Sequence, residues 1–176
     1  MATRRNPKIT HLQSNEPILE ANQKIRHQVM QRAYELSSAS GPIEKQTSDW
    51  LRAEAELVIR PTMELLQTKT GWRVELALPG VLAGEIDIRV GNERLAVEAK
   101  RVVKRTGEQL VVSEYKTDHI FREVSIPSEV DRTKTRATLR DGILAIDLLR
   151  TKPTPVRKVA KTTSEKPTTK RKAKKS

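Results

Sequence analysis

Cysteine is absent from the 176-residue chain, which excludes a disulfide framework, a thiolate zinc site and a cysteine nucleophile. The absence fits a reducing compartment. Aromatic residues make up only 3%, too few to line a large aromatic ligand pocket. No apolar run approaches the ~18 residues needed to span a bilayer. The opening MATRRNPKITHLQ carries basic residues with no apolar stretch behind them, unlike a secretory signal. His11, His27 and His119 lie far apart. There is no His-x-x-x-His pair, no nucleophile elbow and no glycine-rich phosphate loop. Acidic residues mostly alternate with apolar ones, the pattern of a solvated strand face. The expectation is a cytoplasmic, non-enzymatic protein with no catalytic residue, no metal site and no cofactor.

What the chain does have is charge, unevenly spread. The net charge is +12. Residues 151–176 hold ten Lys/Arg and one acid, a net of +9, leaving 24 basic and 21 acidic side chains for the first 150 residues. The body is close to balanced and the basicity belongs to the tail. That tail, TKPTPVRKVAKTTSEKPTTKRKAKKS, is rich in Lys, Thr and Pro with almost nothing to bury, and a disordered extension is expected.

Two other regions precede it. In residues 1–60, Ile25, Val29, Ala33 and Leu36 recur at helical spacing. Gly41-Pro42 ends that helix, and Ser48 or Asp49 can cap a second, in which Leu51, Ala55 and Val58 share a face. Such a hairpin has too little apolar area to stand alone and should lean on the next region or on another copy. Trp50 reads as its buried anchor or as a contact for a partner.

In residues 61–150 the period changes from 3.6 to 2. Trp72, Val74, Leu76 and Leu78 face one way; Ile86, Ile88 and Val90 alternate with Glu85, Asp87 and Arg89; Leu95 and Val97 alternate with Glu98 and Lys100. GEQLVVSEY, HIFREVSIP, TKTRATLR and GILAIDLL continue the series, separated by Pro79-Gly80, Gly91-Asn92, Thr106-Gly107, Pro127-Ser128 and Asp141-Gly142. Short strands at this spacing indicate a mainly β, immunoglobulin-like antiparallel sandwich. Trp72 and Phe121 are expected inside it. After Asp141-Gly142, a favoured pair for a two-residue hairpin turn, Leu144, Ile146 and Leu148 form one apolar face. The opposite face, Ile143, Ala145 and Leu149, is apolar enough to ask for a cover.

Several of these blocks carry a specific resemblance. ATLRDGIL (137–144) resembles the A-x-x-x-(N/D)-G-(V/I)-L signature of the α-crystallin domain of small heat-shock proteins. VELALPGV resembles that family's first strand and the turn ending it, and EIDIRVGNERLAVEAKR its next two strands. SEYKTDHIFREVSIP resembles the segment ending in F-x-R-x-F-x-L-P, with Ile120, Arg122, Val124, Ile126 and Pro127 in place. The four blocks run in the right order over about 90 residues. IRHQVMQRAYELSSASGPIE…DWLRAEAEL is also similar to a short helical module of bacterial proteins.

The resemblance implies a homodimer as building block, with a strand in the loop Val102–Glu114 crossing to the neighbour's sheet edge. Val111 and Val112 in QLVVS, together with Arg122, are the implied dimer contacts. It implies an apolar groove between two edge strands, near Ile88 and Val90 on one and Ala137 and Leu139 on the other. That groove would be open to clients or filled by the helical region. The family's tail motif, two β-branched residues two apart, is missing: Val156 and Val159 are three apart and point to opposite faces of a strand. The phenylalanine-rich N-terminal arm is missing too. The implied activity is ATP-independent holding of unfolding client proteins, with oligomers larger than a dimer depending on the groove.

The tail supports a different reading, a nucleic-acid-associated protein that uses the sandwich only to dimerise. Lys170, Arg171, Lys172, Lys174 and Lys175 are its polyanion-binding candidates, since cations that displace counterions from phosphates favour DNA or RNA. With no aromatic to stack on bases, such binding would be non-specific. With no apolar residue to insert, a membrane partner is not expected.

Overall fold

The computed structural model describes residues 6–40, 46–102, 106–107 and 109–151. Its elements, in chain order, are β1 (Lys8–His11), α1 (Glu16–Ser40), α2 (Gln46–Leu57), β2 (Met63–Gln67), β3 (Gly71–Ala77), β4 (Ile86–Val90), β5 (Arg94–Lys100), β6 (His119–Ser125), β7 (Arg136–Arg140) and β8 (Ile143–Leu149). Alternation of apolar and polar residues gives β3 to β8 their strand character, and the register then turns most of the apolar positions into the space between the sheets. One sheet runs β1-β4-β5-β6 and the other β2-β3-β8-β7. Every pairing is antiparallel except that of β1 with β4. Between the sheets Val74, Leu76, Leu144, Ile146 and Leu148 meet Ile86, Ile88, Val90, Leu95 and Val97, all buried. This is the expected sandwich.

The turn that joins β7 to β8 has Asp141 at φ 51° and Gly142 at φ 77°. Two successive left-handed residues make a type I′ turn, whose twist matches that of the flanking strands. Arg140 and Ile143 therefore pair directly across it. On the outer face of β8 no element among the described residues covers Ile143, which stays exposed. Asp147 on the same face is held by Arg73 at 2.7 Å, with Arg73 in turn pushed to a higher pKa by that bond. The expected cover is supplied by polar neighbours and not by a packed layer.

The covered outer face belongs to the other sheet. Ala96 and Phe121 point away from the sandwich and are fully buried beneath the helices, packed with Ile18, Ile25, Val29, Leu36, Ala53 and Val58. Phe121 thus sits in a second core, because its neighbours Ile120 and Arg122 take the inward parity. The helical hairpin does lean on the β region. Its second helix is rolled from the expected face: Leu51 and Ala55 are exposed, and Trp50, Ala53 and Leu57 turn inward. Residues 50-53-57 and 51-55-58 both satisfy a 3.6 period, and burying the indole removes more apolar area from water. Trp50 is the half-buried anchor. Arg32 ties the helices together through Glu56 at 2.8 Å.

Candidate functional site: a covered groove and an open edge

β4 would be an edge strand, with unpaired backbone groups, were it not for β1. The ladder places Lys8 beside Asp87, Ile9 beside Ile88, Thr10 beside Arg89 and His11 beside Val90. Leu12 extends it by donating its N–H to the Val90 carbonyl at 2.8 Å. Ile9 packs on the sandwich core, as do Ala137 and Leu139 of β7 across the rim. Pro7, two residues before Ile9 and so of the same parity, is buried. The groove expected between Ile88 and Val90 on one side and Ala137 and Leu139 on the other is therefore occupied by the chain's own N-terminal strand. Ile88 and Val90 are 0% exposed, and Ala137 and Leu139 are half-buried.

Two fastenings hold that strand. Asn15 accepts hydrogen bonds at its Oδ1 from the backbone N–H groups of Asn92 (2.8 Å) and Glu93 (3.2 Å), in the β4–β5 turn. This works because position 91 is glycine: a Cβ there would lie 2.4 Å from the Asn15 Oδ1. On the other side the Arg132 guanidinium donates to the Leu12 carbonyl. Arg132 is placed by a short 3-10 turn that Asp131 caps, accepting from the Thr133 hydroxyl at 2.6 Å and from its N–H at 3.2 Å. The Thr133 hydroxyl, then Lys134, hold the Asp131 carboxyl below its usual range.

The opposite rim is open. β2 is the outermost strand of its sheet, and Leu65 and Leu66 are 42% and 39% exposed. The loop between β5 and β6 is clamped at its base, where the Arg101 N–H donates to the Asp118 carbonyl at 3.0 Å and the Arg101 guanidinium lies 3.3 Å from the centre of the Tyr115 ring. Further out, residues 109–113 have no sheet partner among the described residues, and Val111 and Val112 are 88% and 79% exposed. The strand expected in GEQLVVSEY is thus unpaired in a single chain. Arg122 pairs in register with Val97 and so faces inward, half-buried, with its Nε buried and without a hydrogen-bond partner among the described residues.

Among the described residues the histidines stand apart from one another. His119 bonds Glu98 at 3.3 Å, while His11 and His27 are exposed on separate elements. Among the described residues no group of three acidic or histidine side chains could hold a metal ion, and no helix is long and apolar enough to cross a membrane. Lys170, Arg171, Lys172, Lys174 and Lys175 lie outside the described residues. Sequence reasoning missed β1 and β2. Only the unpaired spacing of Pro7 and Ile9, and Leu65-Leu66 amid polar neighbours, could have signalled them.

The sandwich with its two rims is the context in which comparison becomes decisive. The profile of the Hsp20/alpha crystallin family matches residues 64–162. The chain belongs to this family. Small heat shock protein C4 of Rickettsia felis is 25% identical over 93 residues, covering 52% of this chain and 57% of that protein. The 22.0 kDa heat shock protein of Arabidopsis thaliana is 27% identical over 111 residues, covering 61% of this chain and 57% of its own length. The chain thus spans a little over half the length of these two relatives. Among solved structures, HSP18.5 from E. histolytica superposes with a TM-score of 0.50 at 21% identity, over 55% of this chain and 93% of that one. That likeness concerns the fold. The Hsp20 family consists of non-enzymatic chaperones. Neither the family nor these relatives give support to nucleic-acid binding by the tail.

Proposed function

We propose that this Hsp20-family chain is an ATP-independent holdase that works in the cytoplasm as a homodimer or larger assembly. In this reading residues 1–60 are a mainly helical region that lends β1 to the sandwich, 61–150 the sandwich domain and 151–176 a solubilising basic tail. The observation that carries it is the match between two parts of one chain: an open β2 edge with exposed Leu65 and Leu66, and an exposed segment, 109–113, with Val111 and Val112. Exchanged between two copies, the segment of each adds a strand to β2 of the other, an isologous contact that removes both aggregation-prone surfaces at once. Arg122, half-buried on the outermost strand β6, is assigned an ion pair to the second copy in this reading. Clients are held by apolar burial at about 25 cal/mol per Å², which needs no nucleotide and selects no sequence.

The test is heat aggregation of a model enzyme, with the full chain and with the chain truncated after Arg150. Protection by both forms, with a dimer or larger by light scattering, supports the holdase. No protection by either form, with salt-sensitive retardation of DNA by the full chain alone, refutes it in favour of the nucleic-acid reading.

A further inference from the structure

We propose that the outer face of the β2-β3-β8-β7 sheet is a docking surface for an extended basic segment, and that its occupant is the start of this chain's own tail, residues 153–159. The inference does not depend on the holdase reading. The register turns Ile143, Ala145, Asp147 and Leu149 of β8 outward, with Glu75 of β3 and Glu64 of β2 on the same face. Ile143 is 42% exposed, and with Thr62, Ala77 and the two glutamates it lines a hollow of about 310 Å³.

The acids on this side of the face lack cations. Glu64 and Glu75 stand directly opposite each other across β2 and β3, a placement that destabilises a sheet when both are ionised. Among the described residues Glu64 has no ion pair. Glu75 has Arg73 at 4.0 Å, a guanidinium already bonded to Asp147 at 2.7 Å. A lysine or arginine from outside, its aliphatic stem on Ala77 and Ile143 and its charge between the carboxylates, fits both halves of the hollow.

The tail sequence TKPTPVRKVAK matches this face in three ways. Pro153 and Pro155 fix φ and donate no N–H, so the segment is suited to polyproline II, which needs no ladder, and unsuited to extending a sheet edge. Polyproline II repeats every three residues, which puts Pro153, Val156 and Val159 on one side. A spacing that is wrong for a strand is right for this helix. At ~3.1 Å per residue that stripe is roughly 19 Å long, and β8 from Leu149 back to Ile143, at ~3.3 Å per residue, is roughly 20 Å long. The described chain ends at Thr151, whose N–H donates to the Glu129 carbonyl at 2.8 Å. One reversal there lays Pro153 over Leu149 and Val159 over Ile143, and brings Arg157 and Lys158 level with the glutamates. The short tether gives the segment an effective concentration of about millimolar, so a weak contact is enough.

The chain has no cysteine, so engineered pairs read the contact in the full-length protein. Val159→Cys with Ile143→Cys is compared with Val159→Cys with Ser128→Cys in an oxidised-glutathione buffer at low salt. Disulfides within and between chains are separated by non-reducing gel and mass spectrometry. Ile143 and Ser128 are both exposed, so neither change disturbs a core. Ser128 adjoins Glu129 at the root of the tail, and a free tail would close that pair at least as fast. Expected is closure of the Ile143 pair about fivefold faster or more. Glu64→Gln combined with Glu75→Gln should slow it at least threefold, and so should about 0.5 M sodium chloride, which screens exposed charges. A smaller effect in any of the three comparisons overturns the proposal. Disulfides formed mainly between chains overturn it too, by assigning the face to the tail of a second copy.

Discussion

Replacing Phe121, the sole phenylalanine of the chain, by alanine should loosen the helical layer and leave the sandwich standing. The ring, on the outer face of β6, is fully buried beneath the helices in one cluster with Ala96, Ile18, Val29 and Ala53. An aromatic side chain buries on the order of 150–250 Å², which at about 25 cal/mol per Å² is an upper bound of roughly 4–6 kcal/mol. Alanine keeps part of that contact, and Phe→Ala changes in packed cores cost about 3–5 kcal/mol. The two tryptophans make the outcome separable, since Trp50 packs with the helical core and Trp72 with the sandwich core. In single-tryptophan variants (Trp72→Phe and Trp50→Phe) followed by fluorescence through urea, the Trp50 transition should move to lower urea by an amount worth about 3 kcal/mol or more. The Trp72 transition should move by less than half of that. If both shift equally, the two cores melt as one unit. If neither shifts by as much as about 1 kcal/mol, the helices are held by something other than Phe121, and the two-core account fails.

Three further outcomes are expected. If Val111 and Val112 carry the proposed dimer contact, Val111→Asp combined with Val112→Asp should leave a monomer in sedimentation velocity where the parent chain is a dimer, with unchanged far-ultraviolet dichroism, because both side chains are largely exposed in the single chain. Gly142→Ala should cost about 1–2 kcal/mol in thermal or urea unfolding, the penalty of a Cβ at φ 77°. The Arg32 hydrogen bond holds the Glu56 carboxyl below its ordinary range. Its stabilising effect is thus present above the normal carboxylate pKa and lost as pH falls through the depressed one, so Trp50 emission should report loosening of α1 from α2 in acid, below about pH 4. Arg32→Ala should largely remove that pH-dependent change, leaving the helices equally loosened on both sides of the carboxylate range.

The sandwich was legible because its signal is redundant. Six strands repeat the same two-residue period, and three of the five connections between them carry Pro-Gly, Gly-Asn or Asp-Gly at the required places. A misjudged residue in one strand is corrected by its neighbours. β1 had no such support: four residues, three of them polar, form a strand only because β4 offers a free edge, and that is a fact about distant sequence. The same holds for β2, where MELLQ pairs with β3 although Leu65 and Leu66 remain largely outside. Phe121 was misplaced because parity alone does not say which face of a sheet meets a second layer. β5 shows the clue that was available: Leu95, Ala96 and Val97 are consecutive and all buried, the pattern of a strand covered on both sides. The groove residues were found by resemblance, but what fills the groove depended on recognising β1.

Ile59 gives the linker between α2 and β2 a role beyond connection. Its N–H donates to the His119 carbonyl at 2.8 Å and its carbonyl accepts from the Phe121 N–H at 3.1 Å, so one residue caps the free side of β6. The number of residues between Leu57 and Met63 should therefore be less tolerant of change than their identity. A single insertion would slide this bracket out of step and leave a bare hydrogen-bonding margin on the molecule, whereas a substitution at Arg60 or Thr62 would leave it closed.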